Sequence, residues 1–260
     1  MTSPGTDADA EGLAGWLAHL VELRARLLRG VLAVIVVFAA LLPFTRELYT
    51  QLAEPLLAAL PLAPSGGQMV AIDPLAPLTV PLRLTLYAAL LIAMPVLLYQ
   101  AWAFVAPGLY RHEKRLAVPL LVSAVGLFYI GFAFAYFLLL PVMFKFLLGM
   151  NPDGVAVMTD IGRYLDFVAV IALACGLAFQ VPVAVFILVL LGWVSAAQLA
   201  HARGYAIIAI FLVAMLITPG DGISMVMMAI PMCLLYEVGL VASRMLERSR
   251  RARDASAGRS

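Results

Sequence analysis

Glu22 and Glu113 offer the most chemistry in a chain that otherwise holds little. Glu22 stands in HLVELRARLL with Arg24 and Arg26 beside it, and Glu113 in YQAWAFVAPGLYRHEKR among Arg111, Lys114 and Arg115. Two readings are open. Each carboxylate can form a local ion pair, Glu22 with Arg26 at i, i+4 and Glu113 with its neighbours, worth about 0.3 kcal/mol apiece. Alternatively, two carboxylates held at one interface make a receptor for a guanidinium ligand, because arginine's planar fork pairs bidentately with carboxylate. A further polar group, Gln180, stands in the apolar run LAFQVPVAVF. Pro182 has no N–H, so the carbonyl of Ala178 loses its helical donor. The Gln180 amide can reach freed backbone groups or a water beside that kink, or it can face a partner helix.

Enzyme chemistry has no visible constellation. Nucleotide-binding glycine loops, HExxH, CxxC and serine-nucleophile motifs are absent, and His19, His112 and His201 fall at the predicted edges of apolar runs. Cys175 and Cys233 lie inside such runs and read as small buried hydrophobes. No catalytic residue, metal site or cofactor is expected.

The elements that must position these groups are set by composition. Of 260 residues, 64% are hydrophobic and 12% charged, and the mean hydropathy is +1.03, which marks a polytopic membrane protein. A net charge of +2, carried in short segments between apolar runs, excludes nucleic acid as a partner. A membrane-crossing helix needs about 20 apolar residues, and six runs qualify as candidates: Leu27–Phe44, Leu78–Phe104, Leu116–Phe144, Leu165–Leu191, Tyr205–Ile217 and Ile223–Val241. An even number puts both termini on one side. Thirteen of the Lys and Arg residues fall on that side, and Arg46, Arg83, Lys145 and Arg163 on the other. The positive-inside rule then places both termini in the cytoplasm, with residues 1–16 a flexible tail, 17–245 the transmembrane domain and 246–260 a basic tail.

The fifth and sixth runs read as short. YAIIAIFLVAMLI ends at the breaker TPGD, and Glu237 leaves only Ile223–Tyr236 uncharged in the sixth. Prolines 95, 182 and 231 fall inside spans and favour kinks, so the expected architecture is an all-α, concave, kinked bundle. The proline- and glycine-rich stretch 45–77 is expected to be a semi-ordered cap outside the membrane.

The strings HLVELRARLL, YQAWAFVAPGLYRHEKR, FYIGFAFAYFLLLP, CGLAFQVPV and LITPGDGISMVMMAIPMCLLYEVG, in that order across residues 17–245, resemble the TatC family, the receptor subunit of the twin-arginine protein translocase. The resemblance implies a cytoplasmic-facing site for twin-arginine signal peptides of folded precursors. Glu22 and Glu113 would pair with the two arginines, Phe104, Leu109 and Tyr110 would form an apolar shelf, and Arg24 would shape the N-terminal segment. It also implies a multi-pass protein of the bacterial inner membrane, driven by the proton motive force. Its partners would be the single-span subunits TatA and TatB, with self-association in a multimeric complex. Met215, Thr218 and Gln180 would be the contacts to partner helices. Asp221 would cap the sixth helix. Three positions depart from the usual family pattern: Gln180 where Glu is common, Gly220 where a second Pro is common, and Met225 where Gln is frequent. The competing class is a secondary transporter of a small solute, which would call for an internal repeat and a polar midplane site. The six runs do not divide into two similar halves.

Overall fold

The computed structural model describes residues 5–50, 68–70, 73–105, 117–149, 158–218 and 222–257. Apart from a two-stranded ribbon, the described residues are helical: α1 (Gly5–Leu41), α2 (Ala76–Val105), α3 (Ala117–Phe134), α4 (Leu140–Gly149), α5 (Ile161–Ala178), α6 (Val181–Leu190), α7 (Ala196–His201), α8 (Arg203–Ile217) and α9 (Gly222–Ala257). Five helical stretches are long and apolar enough to cross a membrane, namely Leu20–Thr50, Ala76–Phe104, Val118–Phe144, Ile161–Leu190 and Gly222–Ser249. The 15-residue α8 is the shorter sixth. The third span joins α3 to α4 and the fourth joins α5 to α6.

The fifth span is short, as its sequence implies. The sixth is not short as a helix: α9 runs for 36 residues, and Glu237 is accommodated because Arg203 at the start of α8 donates to it at 2.8 Å. The residues expected to form tails are likewise helical over 5–16 and 246–257. Both stretches are rich in alanine and contain no proline, so helix continues through them even past Gly12 and Gly15.

In hydrocarbon, a backbone carbonyl without its donor has to find another inside the protein. At Pro95 the orphan is the carbonyl of Leu91, and the hydroxyl of Tyr129 on α3 donates to it at 3.1 Å. The helix α2 therefore passes through Pro95 unbroken. At Pro182 the helix does break. Residues 179–180 form a turn between α5 and α6, with Pro182 in the first turn of α6. A third irregularity is a π turn over Ala135–Leu139, just before Pro141, which cannot donate to Phe137. Gly192, at φ +72°, ends α6: N–H groups of Gly192 and Trp193 reach back to Val189 and Leu188.

Close approach of the spans depends on glycine. A methyl on Gly176 of α5 would lie 2.6 Å from the ring of Phe128 on α3, and one on Gly131 of α3 would lie 2.6 Å from the ring of Phe179. Each helix thus offers a flat socket to the other's phenylalanine. Gly239 does the same for α9, where a methyl would sit 2.7 Å from the backbone of Pro182. By contrast α1 packs chiefly on α2, and among its residues from Leu20 on only Gly30, against Leu97, is buried.

The two ends of the bundle differ. At one, β1 (Gln68–Val70) and β2 (Met158–Asp160) pair in parallel, with Gln68 opposite Met158, and tie the first and second loops of that end together. Asp160 then caps α5 by accepting from the N–H groups of Gly162 and Arg163 at 2.7 and 3.0 Å. At the other end, Trp102 and Leu190 are buried together with Leu120 and Leu246 packed on them, which gathers spans two, three, four and six. Between spans two, three and four lies an apolar groove of about 430 Å³, with Leu91, Phe132, Tyr136 and Val168 among its walls; this is the concave face.

The glycine sockets give a controlled test. Gly176→Ala forces Phe128 to move and should lower thermal stability by about 1–3 kcal/mol. Gly126→Ala, on the same helix as Phe128 and with open space around the added methyl, should cost nothing measurable in the same detergent melt.

Candidate functional site

At the end of the bundle opposite the strands, a groove of about 720 Å³ between α1 and α2 is lined by Leu23, Arg26, Leu27, Leu97, Gln100 and Phe104 among others, and Glu22 reaches it through its pair with Arg26. The groove runs along the seam between α1 and α2, past Gly30, where an added methyl would lie 3.0 Å from Leu97. The carboxylate of Glu22 is occupied: Arg26, one turn on, donates to it through Nε at 3.0 Å and through a second guanidinium nitrogen. The local ion pair is therefore present, and a ligand guanidinium has to displace Arg26 to reach Glu22. Arg24 is exposed. Leu109, Tyr110 and Glu113 lie outside the described residues.

Gln100 completes the groove, and the sequence reading passed over it. Its Oε1 is buried and has no hydrogen-bond partner among the described residues; the same holds for Nε1 of Trp102 two residues on. An unpartnered amide oxygen beside Arg26 and Phe104 is an acceptor in want of an N–H. Its signal in the sequence was an amide just inside the end of an apolar run, next to the expected Phe104.

The second group of expected residues does not share one face. Met215 is 66% exposed and stands with Ile208, Leu212 and Leu216 on an outward apolar wall of α8. Thr218 points the other way. It is 4% exposed and its hydroxyl donates to the carbonyl of Ala214 at 2.7 Å, closing the end of α8 from inside. Gln180 is engaged within the chain: its Nε2 donates to the carbonyl of Ala124 on α3 at 2.8 Å. The amide thus clips the broken fourth span to the third, a role neither beside its own kink nor toward a partner. Asp221, expected to cap α9, lies outside the described residues.

One polar cluster was missed altogether. Asp166, five residues into α5, accepts from Arg83 of α2 at 3.0 Å and from the hydroxyl of Tyr87 at 3.3 Å. A carboxylate just inside one apolar run and an arginine just inside another were its signal. This pair joins spans two and four near the strand-bearing end.

Comparison with known proteins agrees with the geometry. The family model described as "Sec-independent protein translocase protein (TatC)" matches residues 18–231. A protein of that description from Azotobacter chroococcum is 50% identical over 86% of this chain and 87% of its own length. The one from Escherichia coli K12 is 46% identical over 88% and 87%. A Halothiobacillus neapolitanus relative is 50% identical over 94% of this chain, which spans 66% of that longer protein. A crystal structure described as the twin arginine translocase receptor TatC superposes with a TM-score of 0.76 at 35% identity, covering 87% of this chain and 98% of that one.

The clip at Gln180 makes a prediction about stability. Gln180→Leu removes the donor to the Ala124 carbonyl and should lower thermal stability by about 0.5–1.5 kcal/mol in a detergent melt. Gln180→Glu, which can still donate as the neutral acid, should lose less.

Proposed function

Because the chain belongs to the TatC family of Sec-independent protein translocase proteins, we propose that it is the signal-peptide receptor of a twin-arginine translocase. It is a translocase subunit of the membrane and not an enzyme. In the proposed arrangement both termini and α7 face the cytoplasm of a cell with an inner membrane, and the strand-bearing end faces outward. The count of basic residues supports this sidedness. The observation that carries the receptor reading is the groove between α1 and α2, which puts the Glu22–Arg26 pair, the Gln100 oxygen and Phe104 around one cavity.

In this site the two arginines of a signal peptide take Glu113 and Glu22 as acceptors, and Gln100 supplies a further oxygen. The apolar residues that follow in the peptide lie on Phe104, Leu109 and Tyr110 and along the leucines and valines of the groove. Arg24 keeps the N-terminal segment in register. The internal Arg26–Glu22 pair acts as a stand-in for the ligand, holding the carboxylate in place until a peptide guanidinium exchanges for it.

Translocation also needs the other Tat subunits. We place a single-span partner of the TatA or TatB kind on the wall of α8 at Met215, with Thr218 fixing that wall from behind and Asp221 capping the next helix. The receptor self-associates into a multimer. Gln180 keeps the third and fourth spans at the spacing such a partner meets. A small-solute transporter gains no support, since the midplane amide is already bonded within the chain.

Two experiments test the reading. Glu113→Ala should weaken binding of a twin-arginine peptide to the purified protein by about 1.5–3 kcal/mol, roughly ten- to a hundredfold, with Glu22→Ala weaker in effect because its bond replaces an existing one. Arg26→Gln should leave binding intact or tighten it. A peptide with two lysines bound as well as the native one would count against the carboxylate site. For the partner wall, a cysteine at Met215 should crosslink to a single-span subunit in membranes, whereas a cysteine at buried Ala214 should not.

A further inference from the structure

At the end of the bundle that holds Trp102 and Leu190, the six-residue α7 is fastened to α9 at both ends. A capping box between Ser195 and Gln198 starts it. The N–H of Ala196 also donates to Oε1 of Glu247 at 2.7 Å, and the hydroxyl of Tyr236 donates to the carbonyl of Leu199 at 2.8 Å. Between the two helices this leaves a cavity of about 530 Å³, floored by alanines of α7 and walled by His201, Arg244, Glu247 and Arg248.

The charges in this cavity do not balance. Glu247 spends an oxygen on the Ala196 N–H. Arg244 and Arg248 stand one turn apart on α9, both exposed, and neither makes a hydrogen bond or ion pair among the described residues. Like charges at i, i+4 repel, so two guanidiniums turned into one cavity suit an anion that takes both forks. Phosphate oxygens match that geometry.

Height in the membrane says where such an anion comes from. Leu246, between the two arginines, packs on the Trp102–Leu190 cluster, so the cavity sits at the very ends of spans two, four and six. Trp193, three residues before α7 and 74% exposed, stands as a side chain does at the headgroup level. The short α8 starts lower. Its Arg203 pairs with Glu237, ten residues before Glu247 on α9, which is about 15 Å deeper at 1.5 Å per residue. Beside α8 the polar layer of the bilayer has to dip by that distance to meet it.

We infer that the cavity between α7 and α9 binds the phosphodiester headgroup of an anionic phospholipid through Arg244 and Arg248, at the rim of a locally thinned bilayer. The side of the membrane, taken as the inner leaflet, rests on the proposed function; the site itself does not. The alanine floor leaves room for a glycerol backbone, and His201 adds a donor. A phospholipid held there keeps a polar group over the step between the long sixth span and the short fifth.

The test is native mass spectrometry of the full chain in detergent, with phosphatidylglycerol or phosphatidylcholine added at equal concentration. The wild-type protein should retain phosphatidylglycerol preferentially. Arg244→Gln and Arg248→Gln should each reduce retention about fivefold and the pair about thirty-fold, with unchanged circular dichroism. Arg250→Gln with Arg251→Gln removes the same charge from the tail and should leave retention within about twofold. Equal loss in that control, or no loss in the Arg244/Arg248 pair, overturns the site. sn-Glycerol 3-phosphate is run as a competitor: displacement of the lipid at equal concentration would assign the cavity to free phosphate compounds and overturn its lipid occupant. Twin-arginine peptide binding, measured on the same samples, should persist in the double variant, so loss of the lipid site and failure of the receptor reading give different results.

Discussion

Backbone carbonyls that lose a helical donor inside hydrocarbon have to be answered by a neighbouring helix, and much of this structure follows from how that is done. At Pro95 the answer is the Tyr129 hydroxyl, so α2 stays whole and α3 is pinned to it. At Pro182 the chain turns instead of bending, and the Gln180 amide beside the break fastens it to α3. At the end of α7 the carbonyl of Leu199 is answered by Tyr236. Tyr129 and Gln180 each make a hydrogen bond between spans, modest in energy but without a water competitor. Together they fix which helices touch, and the glycine sockets at 131, 176 and 239 then let them touch closely.

What those bonds leave unfastened is as consequential. α1 has its contacts chiefly with α2, and the Thr85 hydroxyl donates to Thr45 at 3.1 Å to join the first span to the second. Among its described residues only Gly30 is buried, so most of the first span's surface faces away from the bundle. α8 shows the same economy: Ile210, Ala214 and Thr218 face inward, one turn apart, while Ile208, Leu212, Met215 and Leu216 face outward. A helix that short and that exposed is held to the molecule by one stripe and by the Arg203–Glu237 pair at its start.

Much of the fold was legible in the sequence because lipid-spanning runs announce themselves by length. The second run, read as Leu78–Phe104, is the helix Ala76–Val105, and the fifth, read as Tyr205–Ile217, is Arg203–Ile217. Long-range pairing was not legible. Gln180 was visible as an oddity and its proton-donor chemistry was clear, but Ala124 is 56 residues away and an alanine carbonyl carries no signal. Tyr129 and Leu91 are 38 residues apart, and nothing local to either marks the pair. Thr218 was placed on the partner face by resemblance, whereas its hydroxyl is turned inward to Ala214. The π turn before Pro141 and the parallel ribbon between two loops likewise depend on what lies opposite in space. Arg83 was counted only among the basic residues of one side and Asp166 was passed over; their meeting across α2 and α5 is what makes them a pair.

The identity of the group at position 180 bears on how such a protein uses protons. An amide donates to Ala124 at every physiological pH and releases no proton. A glutamate there, as the family resemblance would have it, makes the same bond only while protonated, and its neutral form is the one a buried site favours. Both side chains therefore converge on a neutral donor between the third and fourth spans. Proton release from a glutamate would undo the clip, and an amide cannot undo it. If a chain with Gln180 transports its precursors, opening between these two spans cannot be a required step of transport. Among the described residues the carboxylates within or at the ends of spans are Glu22, Glu47, Asp73, Asp160, Asp166, Glu237 and Glu247. Of these, Asp166 and Glu237 are held by arginines from a different span. In both joints the carboxylate accepts from a cation of another span, whereas Gln180 joins its two spans as a neutral donor.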